Sequence, residues 1–379
     1  MSAVTIRKID NEADFKILKN DWSELLPVSN SKDITLTWEW LYTWWQVFKD
    51  NRELWLLAAY DKDKLIGIAP LLKRMVRYYG FLSFKRIELL GTGEDERDEI
   101  CSDYLDFIAA KEREADVERA ISGYLIQNSN EWDEICLADI LDSSAVVKNV
   151  LSHLNDKNFT VHEIKKEACP FISLPTSWEE LLKSSSYNFR RELNKKKRQL
   201  YGEGQVEFTV YSGDSYNAGF DKMVKLHESR WGARGKESNF SSEKFTLFHK
   251  MIFSALSHYD GTRLYFLKVN GKEVACRYCL SYGETLYDYL TAYDVNFKSS
   301  ASPGLQILSY CVEDAIKFGK KSFDFCKGKK GSFKYRWTDK ERFVITVGIF
   351  NKSGIRNKIF YFINKIVVRL KNILKRTKC

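Results

Sequence analysis

Two strand-turn-strand units about 210 residues apart constrain this chain more than any other feature. The first is ELWLLAAYDKDKLIGIAPLL, Glu53 to Leu72, and the second is RLYFLKVNGKEVACRYCLSY, Arg263 to Tyr282. Each places an apolar run, a polar turn (Asp61 to Lys64; Asn270 to Lys272) and a second apolar run in series, the pattern of a β-hairpin. Each follows an aromatic-rich helical stretch, TWEWLYTWWQVF in the first half and FTLFHKMIFSAL in the second. Downstream, Asp103-Tyr104-Leu105 matches Asp288-Tyr289-Leu290. Both lead into a helix (DVERAISGYLIQN; GLQILSYCVEDAIKFG) and then a short strand (EWDEICLADI; KSFDFCKG). The repeated unit is helix, hairpin, strand, helix, strand. It predicts an α/β (α+β) chain of two tandem mixed domains, 1–168 and 169–351, divided near the Cys169-Pro170 to Pro175 segment and followed by a tail, 352–379.

The second half alone carries an insertion, SYNFRRELNKKKRQL, which predicts a basic helix over 186–201. Phe189, Leu193 and Leu200 fall on one face, and Arg190, Arg191, Lys195, Lys196, Lys197 and Arg198 surround the rest, ending at Gly202 and Gly204. Such a run is either a solvated face or a basic wall for a phosphate-bearing ligand.

The 379 residues are 44% hydrophobic, enough for two cores. Aromatics make up 14% and many adjoin charges (WEWLYTWW, RYYGF, ESRW, FKYRW), which fits large core residues or a groove for an elongated polar ligand. The net charge of +9 equals the nine Lys and Arg of 352–379, a segment without Asp or Glu, so residues 1–351 are formally neutral. That argues against a nucleic-acid regulator. Within the tail, Ile355, Ile359, Phe362, Ile363, Ile366, Leu370, Ile373 and Leu374 recur at steps of three and four. This predicts a basic amphipathic helix that either lies on an anionic membrane surface or packs on its own domain. The eight cysteines lack regular spacing and follow no signal peptide, which predicts reduced thiols in a cytoplasmic protein, peripheral at the inner face of the membrane if the tail binds there. Cys276 and Cys279 belong to a strand, where a separation of three puts them on opposite faces, so no metal site is expected.

Ser299 to Gly304 places serines, Pro303 and Gly304 directly before a helix. A helix N-terminus presents unpaired N–H groups and a positive dipole end, and small residues let an anion approach. The equivalent place in the first half reads AAKEREADV, where Glu112, Glu114 and Asp116 would repel a phosphate. The asymmetry assigns phosphate binding to the second half.

In this order (YDYLTAYD, small-residue loop, helix, FDFCKG), the second half resembles the acyl-CoA-binding core of the Gcn5-related N-acetyltransferase (GNAT) superfamily. More closely, Tyr187 to Leu200, LHESRWGARGK, LKVNGKEVACRYCL, AYDVNFKSSASPG and FDFCKGKKGSFKYRW resemble the BioF2-like or CelD-like acyltransferases, relatives of the FemAB aminoacyltransferases; WEWLYTWW, LIGIAPL and SDYLDFI extend the likeness into the first half. The resemblance implies two GNAT-like domains, each a mixed, mainly antiparallel sheet flanked by helices, the first degenerate. It implies acyl-CoA, specifically acetyl-CoA, as co-substrate without a metal, its pyrophosphate at Ser299, Ser300, Ser302, Gly304 and Leu305 and its pantetheine arm along Leu290, Thr291 and Ala292. Arg230, Trp231, Arg234, Lys327, Lys334 and Trp337 are candidates to hold the acceptor, and Tyr293, Asp294, Asp324 and His227 are candidate catalytic groups. Relatives often carry an acidic residue within the final motif, where this chain has Lys329, Lys330 and Gly331. The expected reaction is direct acyl transfer to an amine or hydroxyl of a sugar or glycan precursor in envelope or extracellular polysaccharide synthesis. The rivals are transfer from an aminoacyl-tRNA to a cell-wall precursor and a non-catalytic membrane adaptor.

Overall fold

The computed structural model describes residues 4–155, 158–259, 261–297, 299–354 and 357–358, so the tail helix expected over 352–379 lies almost wholly outside the described residues. The first half runs β1 (Thr5–Ile9), α1 (Glu12–Ile17), α2 (Lys19–Leu25), α3 (Trp38–Phe48), β2 (Arg52–Leu54), β3 (Leu56–Asp61), β4 (Lys64–Ala69), β5 (Leu71–Tyr78), β6 (Leu82–Leu89), β7 (Ile108–Ala109), α4 (Glu114–Gln127), β8 (Glu134–Leu141) and α5 (Ala145–Leu154). Then come β9 (Phe159–Ser173), α6 (Trp178–Ser184), α7 (Tyr187–Tyr201), β10 (Val206–Tyr211), α8 (Tyr216–Gly232), α9 (Glu243–Ala255), β11 (Thr262–Val269), β12 (Lys272–Tyr282), β13 (Thr285–Tyr293), α10 (Pro303–Lys317), β14 (Ser322–Asp324) and β15 (Glu341–Asn351).

Both expected hairpins form, as β3–β4 and β11–β12. Asn270 (φ 52°) and Gly271 (φ 74°) turn the second one in the left-handed region, the twist that a two-residue hairpin loop requires. The strand expected around Asp103-Tyr104-Leu105 is reduced in the first half to the two residues of β7, because Cys101 and Tyr104 hold positive φ and break the extended run.

The sheets show what local patterns did not. One has the order β1-β3-β4-β7; the other runs β10-β11-β12-β13-β14-β9-β15-β8-β6-β5-β2. The expected boundary at 168/169 falls inside β9, whose residues Phe159 to Pro170 pair with β15 and whose end, Phe171 to Ser173, pairs with β14. The last described strand, β15, lies between β9 and β8, so the end of the second half is built into the first half's side of the sheet.

Alternation along β12 separates two cores. Cys276 and Tyr278 join the large core with Phe220 of α8, Phe248 of α9 and Trp40 of α3, whereas Ala275 and Cys279 pack with Ile307, Cys311 and Ala315 of α10. Cys276 and Cys279 thus face opposite sides. The equivalent helices of the two halves, α3 and α9, meet through an edge-on Trp40–Phe248 contact with 5.0 Å between centroids. Polar contacts continue this seam: Tyr287 donates to Asp33 Oδ2 (2.9 Å), and Tyr104 donates to Asp324 Oδ1 (2.7 Å).

Candidate active site

Strands β13 and β14 run parallel and pair only over Thr285–Tyr287 with Ser322–Asp324, then separate. Just beyond that point β13 carries a bulge: Tyr278 faces Leu290 and Cys279 faces Asp288, leaving Tyr289 as the extra residue. A bulge bends and twists its strand. Here the strands open into a cleft of about 490 Å³, lined by Arg230, Arg234, Arg277, Thr291, Tyr293, Asp294, Val295, Phe297, Ser302 to Leu305, Phe333 and Arg336.

Helix α10 opens at this cleft. Its N-cap residue Ser302 sits in the left-handed region (φ 47°) and makes no side-chain cap, Pro303 starts the first turn, and a Cβ built on Gly304 would meet nothing within 4 Å. The expected small-residue approach is therefore present at Ser302, Gly304 and Leu305. Ser300 is exposed and accepts from Lys196 Nζ through its carbonyl (2.6 Å), and the Ser299 side chain lies outside the description. In the first half, Arg113 at the start of α4 holds Asp116 (2.8 Å), and Glu114 accepts from Asn30 Nδ2. Carboxylates of the chain itself occupy that helix start, which accounts for the asymmetry of the two loops.

Four guanidinium groups line the cleft against one carboxylate, Asp294. That carboxylate is already held by Lys272 Nζ (2.7 Å) and the Asn296 N–H (2.9 Å); the Lys272 bond keeps its pKa below the usual carboxylate range, so it is a weak proton acceptor. Arg277 is 2% exposed, pairs with Asp288 and reaches the Gly304 carbonyl (3.4 Å). Burial is the largest influence and opposes its charge, but the Asp288 carboxylate, its hydrogen bond and the neighbouring thiols together keep the guanidinium above its ordinary pKa. Arg230 donates to the Thr291 carbonyl and lies 4.6 Å over the Tyr293 ring, while Arg234 donates to the Tyr293 hydroxyl (2.9 Å). The Nε atoms of Arg230 and Arg277 are buried without a hydrogen-bond partner among the described residues. Unsatisfied buried donors on cations beside a helix N-terminus suit an anionic ligand such as the phosphates of a coenzyme A ester.

Several expected site residues lie elsewhere. Leu290 and Ala292 turn toward the large core, leaving Thr291 and Tyr293 on the cleft side. His227 is buried: Trp231 Nε1 donates to its Nε2 (2.9 Å), its Nδ1 meets Ser238 Oγ (2.7 Å), and burial pushes its pKa down to about 4. His227 and Trp231 thereby satisfy each other, and neither lines the cleft. Asp324 is fully buried at the seam with Tyr104, the Cys326 N–H (2.7 Å) and Arg342 (2.9 Å). Lys327 pairs with Asp103 and Asp139, both at 3.0 Å. Lys334 donates to the carbonyls of Phe325 and Lys327, and Trp337 packs edge-on against Phe189 with 4.9 Å between centroids. These residues brace the chain around the end of β14 and do not line the cleft. The sequence reading missed Arg277, Phe333 and Arg336; a lone arginine inside the apolar run VACRYCLSY was the available signal for the first.

All of the cleft-lining residues fall within 187–336, the segment that matches the family model described as Acetyltransferase (GNAT) domain. That match to residues 187–336 supports an acyltransferase. No curated protein sequence matches it. Among solved structures it is similar to FemX, with a TM-score of 0.62 at 12% identity over 94% of this chain and 99% of that one. It is also similar to L-PGS from Bacillus licheniformis (TM-score 0.52, 13% identity, 92% and 95% covered) and to a conserved protein of unknown function from Bacteroides thetaiotaomicron VPI-5482 (0.51, 12%, 92% and 100%). At these identities the likeness is one of fold, and it spans nearly the whole of each chain. The segment 187–336 thus sits within a larger fold that includes the first half.

Proposed function

We propose that the chain transfers the acyl group of acyl-CoA, specifically acetyl-CoA, to an amine or hydroxyl of a sugar or sugar-linked cell-envelope precursor, as BioF2-like and CelD-like acyltransferases do. The observation that carries this reading is the arginine-lined cleft at the open start of α10, placed where β13 parts from β14. A phosphate chain held there leaves the acyl thioester free to run along Thr291 and Tyr293 toward the gap. The acceptor lone pair attacks the thioester carbonyl, the C–S bond breaks, and the sulfur leaves with the electron pair and takes up the proton that the acceptor loses. Positioning of the two reactants supplies much of the acceleration. Of the expected catalytic groups, Tyr293 has its hydroxyl at the cleft, beside Arg234, and is the candidate to pass that proton.

Isothermal titration of the full chain with CoA and acetyl-CoA tests the donor. Micromolar binding that is lost in Gly304→Glu supports it, and absence of heat removes it. A second reading, aminoacyl-tRNA as donor, is favoured by α7, whose Lys196 touches the Ser300 carbonyl and whose Arg191, Lys195, Lys197 and Arg198 are exposed nearby. Binding of charged tRNA that disappears when those residues are neutralised, with no CoA binding, would select it.

A further inference from the structure

The ribbon β5–β6 extends beyond the sheet that holds it. Its strands pair from Leu71 with Leu89 to Tyr78 with Leu82, but β8 pairs with β6 only at Arg86–Glu88, with Asp133 just before it also bonding the Lys85 backbone, and β2 pairs with β5 only at Leu72–Arg74. Residues 75–84 therefore project as a two-stranded arm, with Lys85 at its root. An isolated arm of this kind is marginally stable in water, and here a small core of its own supports it: Val76, Tyr78, Leu82 and Phe84 gather around Phe350 at the end of β15. Tyr79 (φ 54°) and Gly80 (φ 80°) close the tip in the left-handed region.

The outward side has a definite order. At the tip Phe81 is 76% exposed and Tyr79 53%; behind them come Arg77 opposite Ser83, then Met75, 57% exposed, opposite Lys85. At ~3.4 Å per residue the cations trail the tip by about 7 to 20 Å. No acidic residue occurs from Lys73 to Arg86. Glu88 and Glu134 neutralise Arg74 and Arg86, while Arg77 and Lys85 take part in no ion pair among the described residues. An aromatic tip with cations behind it matches a bilayer surface, where aromatic and apolar side chains enter the headgroup region by about 5 to 10 Å and cations meet lipid phosphates. A protein partner would need about 800 Å² of surface on this side, more than one narrow turn presents. The root of the arm is also where β15 ends, because Phe350 packs on Phe84 just before the segment 352–379 and its nine cations.

We propose that the tip of the β5–β6 arm docks in the headgroup region of an anionic lipid bilayer. The proposal stands apart from the choice of acyl donor. The test uses the full chain with vesicles of mixed phosphatidylglycerol and phosphatidylcholine, and with vesicles of phosphatidylcholine alone. Expected are sedimentation with the anionic vesicles only, slower amide hydrogen exchange at residues 79–82 when they are present, and a loss of partitioning of about fivefold for each of Arg77→Gln and Lys85→Gln. Phe81→Ser should weaken partitioning further with an unchanged circular dichroism spectrum. Failure to sediment overturns the proposal. So does sedimentation with unaltered exchange at 79–82, which would assign attachment to another surface, and so does lipid-independent protection that rises with protein concentration, which would assign the tip to a protein contact.

Discussion

The Arg277–Asp288 pair joins the stability of the second half to the proposed donor site, and the two roles can be separated by experiment. Both residues are buried, at 2% and 7% exposure, and the guanidinium spans from Asp288 on the bulged strand to the Gly304 carbonyl at the start of α10. Removing one member of a buried pair strands the other charge and costs about 3 to 5 kcal/mol, whereas replacing both with apolar residues of similar volume is often neutral. Arg277→Met and Asp288→Leu should each lower the urea-unfolding free energy by about that amount, and the double variant should recover most of it. Donor affinity follows a different pattern. A hydrogen bond from a cation to a phosphate contributes about 1.5 to 3 kcal/mol, so the double variant, although stable, should bind CoA about 10- to 150-fold more weakly by titration calorimetry. A stable double variant that binds CoA like the wild type would remove Arg277 from the donor site. A single variant that loses less than about 1 kcal/mol would refute the claim that the pair is desolvated.

At Gly304 the open space in front of the Cβ position predicts that Gly304→Ala leaves CoA affinity within about threefold, since one methyl group meets no neighbour, and makes the helix slightly more stable by about 0.5 to 1 kcal/mol; calorimetry and urea titration read the two effects. Gly304→Glu should instead abolish measurable binding, because a carboxylate about 4 Å from a phosphate costs ~1 to 4 kcal/mol on top of the lost approach. His227 and His249 are held neutral by burial, with pKa values pushed down to about 4 and about 3, below the ordinary 6.5. The unfolded chain therefore takes up protons that the folded chain refuses as pH falls below about 6.5, and the stability that these groups contribute declines from there toward pH 4. Comparing urea midpoints of wild type and His227→Gln across this range should show the wild type losing more; parallel curves would contradict the assigned burial. Lys334→Met should lower stability by about 1 to 3 kcal/mol, because two partly buried carbonyls lose their donor, while leaving the KM for acyl-CoA within about twofold.

How much of this was legible beforehand depended on the range of the forces involved. The hairpins at Asp61 to Lys64 and Asn270 to Lys272 were readable because turn chemistry is local, and the α7 core face was readable because Phe189, Leu193 and Leu200 follow helical spacing; all three are buried. Pairing of β9 with β15 joins residues about 180 apart, and its middle, HEIKKE, carries charges on both faces because much of that strand is exposed, so no apolar alternation marks it. The site divides in the same way. Ser302, Gly304 and Tyr293 could be placed from the strand-loop-helix order alone. Asp324 at the end of β14 and the lysines after it looked like ligand groups because charge in a loop usually faces water, yet Asp103 and Asp139 of the first half hold Lys327, Tyr104 and Arg342 hold Asp324, and the Phe325 and Lys327 carbonyls hold Lys334. Arg277 is the converse. Its strand is otherwise apolar, and a buried arginine persists there because Asp288, eleven residues away across a hairpin, neutralises it and aims it at α10. The two halves therefore divide the work unequally: the second lines the cleft, and the first, through Asp103 and Asp139, neutralises Lys327 beside it.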